Sequence, residues 1–327
     1  MITKKDFNLE IIRFFSMLFV ILIHVFSNGF TEKENLHNIF YCLCTSAVPL
    51  FLILSGYSNS ISYSRRKWSS LKFLNKLLLL LTYYIVSTFF YALVNQGNFW
   101  INLLTIQGSY HLYYLIILFL LEAFFPLLYK WVNTHAISCL TIFALFSIMA
   151  NYFIISNFSE FLFVSPFTWG ILFVFGIYLK KNILWKSVSI KYFCLISLAL
   201  LLLYYEMSII SVDEIFYKTL LNSIIRFSFS ISLFIFLYKS ASIFLNNSFT
   251  NSLISDINKY SLYIYLIHPF IINLLNKKIF SRIITMQGFL YCFLSFLFVF
   301  TLSFVCSFFI KKLVSILKKQ TLNLLSF

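Results

Sequence analysis

Arg13 and His24 stand eleven residues apart in NLEIIRFFSMLFVILIHVF (8–26), and Glu10 precedes the arginine by one turn. At about 3.6 residues per turn, eleven residues make three turns, so both side chains share one helix face, roughly 16 Å apart along the axis. Glu10 lies within pairing reach of Arg13. An imidazole with an unperturbed pKa of about 6.5 takes up and returns a proton at neutral pH. One face of this stretch therefore carries an acid–base pair near one end and a proton-transfer group three turns further on. Arg13 alone would read as a snorkelling side chain and Glu10 alone as a cap or pair. His24, deep in an apolar run, has neither explanation.

A second pair repeats the spacing. His111 and Glu122 are also eleven apart, in HLYYLIILFLLEAFFPLL. An interfacial histidine in an aromatic belt with Tyr110, Tyr113 and Tyr114 competes with a catalytic role for His111. Arg226 and His268 lie inside later apolar runs, and Pro269 after His268 removes a backbone donor, which opens a cavity locally. Ser55, Gly56 and Tyr57 either line such a cavity or pack helices closely. A single ionisable group at bilayer depth costs a few kcal/mol or more and needs a partner, water or a role. Clustering on shared faces favours a role.

The elements that hold these residues follow from composition. The 327 residues are 61% hydrophobic and 21% aromatic, and only 11% are charged, against roughly half apolar and a quarter charged in soluble domains. The sequence predicts an all-α polytopic membrane helix bundle, a single domain over 1–327. About ten transmembrane helices are expected, near 8–29, 39–62, 77–95, 110–130, 136–156, 163–180, 191–210, 218–239, 259–276 and 286–310. Basic residues alternate between the loops. Lys4, Lys5, the cluster Arg65 to Lys76, Lys130, Lys180 to Lys191, Lys239 and Lys311 to Lys319 fall on one side. That places both termini in the cytoplasm, with Lys277, Lys278 and Arg282 as the one dissenting loop. The net charge of +15 is thus a topology and anionic-lipid signal, and no nucleic-acid module is expected. The first apolar run is too long for a signal-peptide core and lacks a small-residue cleavage site, so it is expected to remain. The six cysteines lie mostly in apolar runs without CxxC or metal-ligand spacing, and no metal is expected. P-loop, GxSxG and GxGxxG patterns are absent.

The R-x10-H string of the first helix resembles the signature of the acyltransferase-3 family of membrane acyltransferases. AVPLFLILSGYSNS (47–60) is similar to the family's P-x-F-F-x-x-S-G segment. HLYYLIILFLLEAFFPLL is similar to its H-L-W-F-L helix, and SLYIYLIHPFII (261–272) to its YLIH helix. The resemblance runs over most of the chain in order, and it is to the stand-alone members without an appended extracytoplasmic domain. It implies a multi-pass protein of the cell membrane, the bacterial inner membrane. The implied reaction is O-acyl transfer, usually of acetyl from acetyl-CoA, to a hydroxyl of a surface polysaccharide or its lipid-linked precursor. No permanently bound cofactor is implied; acetyl-CoA or another acyl-CoA is the donor substrate, and the partners are the glycan acceptor and membrane lipid. By the same resemblance His24 and Arg13 are the essential pair. His24 is either the general base or a transient acyl carrier.

The family's R-x-x-R motif is replaced here by Arg65-Arg66-Lys67 with Lys72 and Lys76. With Arg13, residues Arg65, Arg66, Lys72 and Lys76 are the expected landing place for the CoA phosphates. His111 is a further catalytic candidate. Glu10, Ser55, Gly56, Tyr57, Glu122, Arg226 and His268 are expected around the cavity. The competing reading is a transporter or flippase of a lipid-linked glycan, its ionisable groups forming a proton relay. Against it, neither repeat halves nor a pair of Gly/Pro-broken helices is visible.

Overall fold

The structure, a computed structural model, describes residues 6–29, 35–65, 69–106, 109, 111–155, 165–209, 215–244, 248–278 and 289–324. Among them there is no strand. The helices are α1 (Phe7–Gly29), α2 (Asn35–Cys44), α3 (Ala47–Arg65), α4 (Ser70–Val94), α5 (Phe99–Thr105), α6 (Tyr113–Ala123) and α7 (Phe125–Ile155). They continue as α8 (Pro166–Lys181), α9 (Ile190–Ile209), α10 (Ile215–Phe244), α11 (Ser248–Asn258), α12 (Ser261–Lys278) and α13 (Phe289–Leu324).

Seven stretches among the described residues are long and apolar enough to cross a bilayer. They are Phe7–Ser27, Asn38–Ser64, Ser70–Val94, Phe125–Phe153, Ile190–Met207, Leu221–Ala241 and Tyr291–Ile316. Each overlaps one of the expected spans. The other three expectations, 110–130, 163–180 and 259–276, meet helices of 11, 16 and 18 residues. The first of these is broken for a local reason. Pro126 has no N–H and restricts the residue before it, so α6 ends at Ala123 and a new helix starts at Phe125. That helix runs on through the loop expected near 131–135, marked only by a kink at His135 (φ −133°, ψ 62°).

Backbone packing divides the chain into two compact units, residues 1–47 with 236–327, and residues 48–235. In the first unit α1 is the hub and packs on α2, α11, α12 and α13. Ile11, Ile12 and Ile21 are fully buried, as the apolar stripe of a central helix requires. In the second unit α8 packs on α7 and α6, and α4 on α5 and α6. Two glycines bring α3 and α8 into backbone contact. A Cβ at Gly56 would collide with the Phe173 carbonyl, and one at Gly176 with the Ile53 carbonyl. This is the small-residue crossing through which membrane helices approach closely.

Large apolar side chains such as Leu79, Phe89, Leu145, Leu195 and Phe309 are exposed, the surface that lipid covers in a multi-pass membrane protein. The windows contrast accordingly: 61% of the first span is buried, against 6% of Ile190–Met207. The residue-bearing helix α1 is central to its own unit, and α9 is largely exposed in the other.

Candidate active site

In the first unit, α1 carries Glu10, Arg13 and His24. Arg13 Nη1 donates to Glu10 Oε1 at 3.2 Å, with the arginine side chain 35% exposed and the glutamate 7%. The contact is longer than a strong charge-assisted bond, about 2.7–2.9 Å. The firmer partner comes from elsewhere in the unit. Asn258, the last residue of α11, donates Nδ2 to the Glu10 carbonyl and to Glu10 Oε2, each at 2.7 Å. The glutamate is fixed by the amide. Arg13 makes no further polar contact among the described residues. The Asn258 Oδ1 is buried without a hydrogen-bond partner among them.

Further along α1, the half-buried His24 ring stacks on His268 of α12, with centroids 5.3 Å apart and planes 23° apart. His268 is fully buried. Its orientation follows from the residue after it. In a regular helix the Tyr265 carbonyl would accept from the N–H of residue 269, and Pro269 has none. The His268 Nδ1 lies 2.7 Å from that carbonyl and 3.3 Å from the Ile264 carbonyl. A carbonyl only accepts, so Nδ1 carries the proton and Nε2 presents its lone pair. Pro269 thereby fixes the tautomer of the ring that backs His24.

The second unit holds the other pair. Glu122, near the end of α6, is buried and accepts from Lys76 Nζ of α4 at 2.8 Å and from Asn59 Nδ2 of α3 at 2.6 Å. Lys76 also donates to Asn59 Oδ1 at 2.7 Å. The three side chains close a ring that ties three helices together. Lys76 is thus held by a carboxylate, which weakens its claim as a landing point for phosphate. At the other end of α6, His111 is buried, its Nδ1 2.8 Å from Ser109 Oγ and its ring edge-on to Tyr91 at 5.2 Å.

Of the remaining expected residues, Lys72 is exposed on the first turn of α4, where its N–H is capped by Ser69. Arg66 and the Arg65 side chain lie outside the described residues. Gly56 is a packing position against Phe173, Tyr57 is buried with its ring 6.1 Å from Phe234, and Ser55 accepts from Ser58 through its carbonyl. Gly56 and Tyr57 thus lie in packed surroundings, and the Ser55 side chain is half-buried. Arg226 stacks its guanidinium on Trp169. No group of three metal-ligating side chains is found among the described residues.

Sequence reading had not singled out Asn59, Asn258 or Ser109. The two asparagines act across 63 and 248 residues of chain, and an isolated amide in a polar segment carries no periodic signal.

Residues 6–308 match a family model described as an acyltransferase domain. No curated protein and no solved structure matches the chain.

Proposed function

The chain belongs to the acyltransferase-3 family, and on that premise we propose that this multi-pass membrane acyltransferase moves an acetyl group from acetyl-CoA to a hydroxyl of a surface polysaccharide or its lipid-linked precursor. The ten-helix arrangement with cytoplasmic termini and a place in the bacterial inner membrane belong to the same proposal. The observation that supports it most is His24 on the central helix, half-buried and stacked on a histidine whose own proton is pinned to a backbone carbonyl.

In this reading His24 is the general base. A ring nitrogen of His24 takes the proton of the acceptor hydroxyl as the oxygen attacks the thioester carbonyl. The C–S bond breaks, CoA leaves as thiolate, and the imidazolium returns the proton to that sulfur. His268 acts as a positioning residue: its locked ring holds the plane of His24. Arg13, with donors to spare beyond Glu10, receives a phosphate or the pantetheine carbonyl of the donor. Glu10, gripped by Asn258, holds the arginine near the ring's face of α1. Lys72, with Arg65 and Arg66, supplies the diffuse positive field for CoA.

The test compares envelope glycans by mass spectrometry from a deletion strain, the strain with wild type restored, and the strain with His24→Ala at matched membrane levels. The expected result is one acetyl increment, removed by mild alkali and restored by wild type alone. Equal acylation in all three strains, with lipid-linked glycan accumulating in the deletion, would instead establish the transporter reading.

A further inference from the structure

The helix that grips Glu10 has a second face, and the reaction just described does not use it. The inward side of α11 is marked by Ile254, which joins Ile11 of α1 and Ala241 of α10 in one buried cluster, and by Asn258, whose amide reaches Glu10. These two are four residues apart, share a face and are both buried. Phe249 and Leu253 are also four apart and lie on the largely opposite side of the helix. They are 68% and 45% exposed. Ser252 and Asp256 are exposed on the same side. A helix of 11 residues with this make-up is too short and too polar to cross a bilayer.

The level of α11 follows from its contact with α1. Ile11 is four residues, about 6 Å, from the Phe7 end of the span Phe7–Ser27. α11 therefore packs at the rim of the apolar run, where hydrocarbon gives way to headgroups. The chain leaving α11 is fastened there by a lysine. Lys311 of α13 donates Nζ to the Lys259 carbonyl at 3.1 Å and lies 4.6 Å from the Tyr260 ring centroid, and that ring packs on Phe304 and Phe308. Lys259 is exposed, as is Lys312 next to Lys311 in the chain. Asp256 balances the first of these lysines.

We infer that α11 is a lipid-contact helix: Phe249 and Leu253 seat in the headgroup–acyl boundary of an anionic leaflet, and this seating holds Asn258 on Glu10. A surface helix of this kind draws its hold from a small apolar area together with the attraction of nearby lysines to anionic headgroups. Two side chains are too little for a stable protein partner, whose interface covers about 800 Å² on each side. The consequence for acyl transfer runs through Glu10 and Arg13 and so rests on the proposed function, whereas the lipid contact does not.

The full-length chain carrying Phe249→p-benzoylphenylalanine would be illuminated in nanodiscs of mixed phosphatidylglycerol and phosphatidylcholine, with intact-protein mass spectrometry as readout. The expected product is a covalent phospholipid adduct, with phosphatidylglycerol over-represented relative to its share of the disc. A covalent dimer or an internal cross-link without a lipid adduct, or lipid captured in the bulk ratio, would overturn the inference. Hydrogen exchange reads the hold on Asn258 separately. Phe249 and Leu253 are exposed, so serine at both removes little packing. The Phe249→Ser, Leu253→Ser chain should exchange the amides of residues 254–258 on the order of tenfold faster than wild type in the same nanodiscs, with those of α8 unchanged. Leu253→Ser alone carries this measurement if the double variant does not yield folded protein. Equal exchange in α11 would also overturn the inference. In the glycan assay the double variant should lose about as much acetyl transfer as Asn258→Ala, roughly fivefold to tenfold, and the combined variant no more. Additive losses would show that the two faces act independently and sink the coupling. Lipid capture and fast exchange as expected, with no acetyl transfer even by wild type, would count against the proposed function and leave the lipid contact standing.

Discussion

Glu10 and Glu122 are both buried, and each meets one cation and one asparagine amide, yet the two arrangements differ in one respect. Around Glu122 every partner is used: Asn59 donates to the carboxylate and accepts from Lys76, and Lys76 reaches both. Around Glu10 the two named partners, Arg13 and Asn258, do not bond each other. Asn258 grips the glutamate twice, its Oδ1 is left without a partner among the described residues, and Arg13 touches the carboxylate with one nitrogen. A closed polar ring in a membrane fixes helices, because each member would be costly alone. An open one keeps binding capacity at the expense of stability. The same residue types therefore form a closed ring in one unit and, in the proposed reading, a ligand site in the other, and spacing along the chain does not tell them apart.

The comparison can be broken in a graded way. The largest effect is expected on the open side, where His24→Ala should lower acyl transfer on the order of 10³-fold without changing membrane insertion, read as acetyl incorporated per unit of protein. Arg13→Ala should follow with about a 10²-fold loss in kcat/KM, and Arg13→Lys should recover part of it. On the closed side the signature is different. Glu122→Ala strands Lys76, and because that lysine is 44% exposed the cost should be about 1–2 kcal/mol, seen as earlier thermal unfolding in detergent. KM for acetyl-CoA should stay unchanged in the folded fraction. If Lys76→Ala instead raises that KM without loss of stability, the ring is a donor site and the contrast fails. Asn258→Ala loosens Glu10 and should reduce transfer about fivefold to tenfold, with little change in unfolding temperature.

The smallest effect is expected at Asp256 and Lys259, an exposed pair at 2.6 Å. The hydrogen bond and charge of Lys259 hold the Asp256 carboxyl below its ordinary range. Its contribution is present above the usual carboxylate pKa and fades as pH falls through the lowered one. Both groups are fully exposed, so Lys259→Gln should leave the unfolding midpoint unchanged at neutral pH and at mildly acidic pH alike.

What the sequence revealed of this follows from the range of each interaction. Arg13, His24 and Glu10 share a face by helix periodicity alone, and their polarity against apolar neighbours made them visible. Seven spans were legible because an apolar run of about 20 residues is a local property. The break between α6 and α7 was legible in principle at Pro126, but the apolar run over it outweighed one residue. His24 and His268 were each conspicuous, whereas their stacking joins residues more than two hundred positions apart and leaves no local mark. The two rings of partners were hidden for the same reason: Asn59 and Asn258 become informative only when three helices meet.

Proline in a membrane helix is usually discussed for the bend it causes. At position 269 its consequence is a matter of proton inventory. One missing backbone hydrogen obliges the neighbouring imidazole to lend its own, and the two nitrogens of His268 are no longer interchangeable. A residue that repaired the helix there would make the segment a better helix and return that proton to circulation. The ring behind His24 would then fluctuate between two tautomers, with a distinct nitrogen chemical shift for each. Selection for helical regularity and selection for a single ring identity thus pull in opposite directions at this one position.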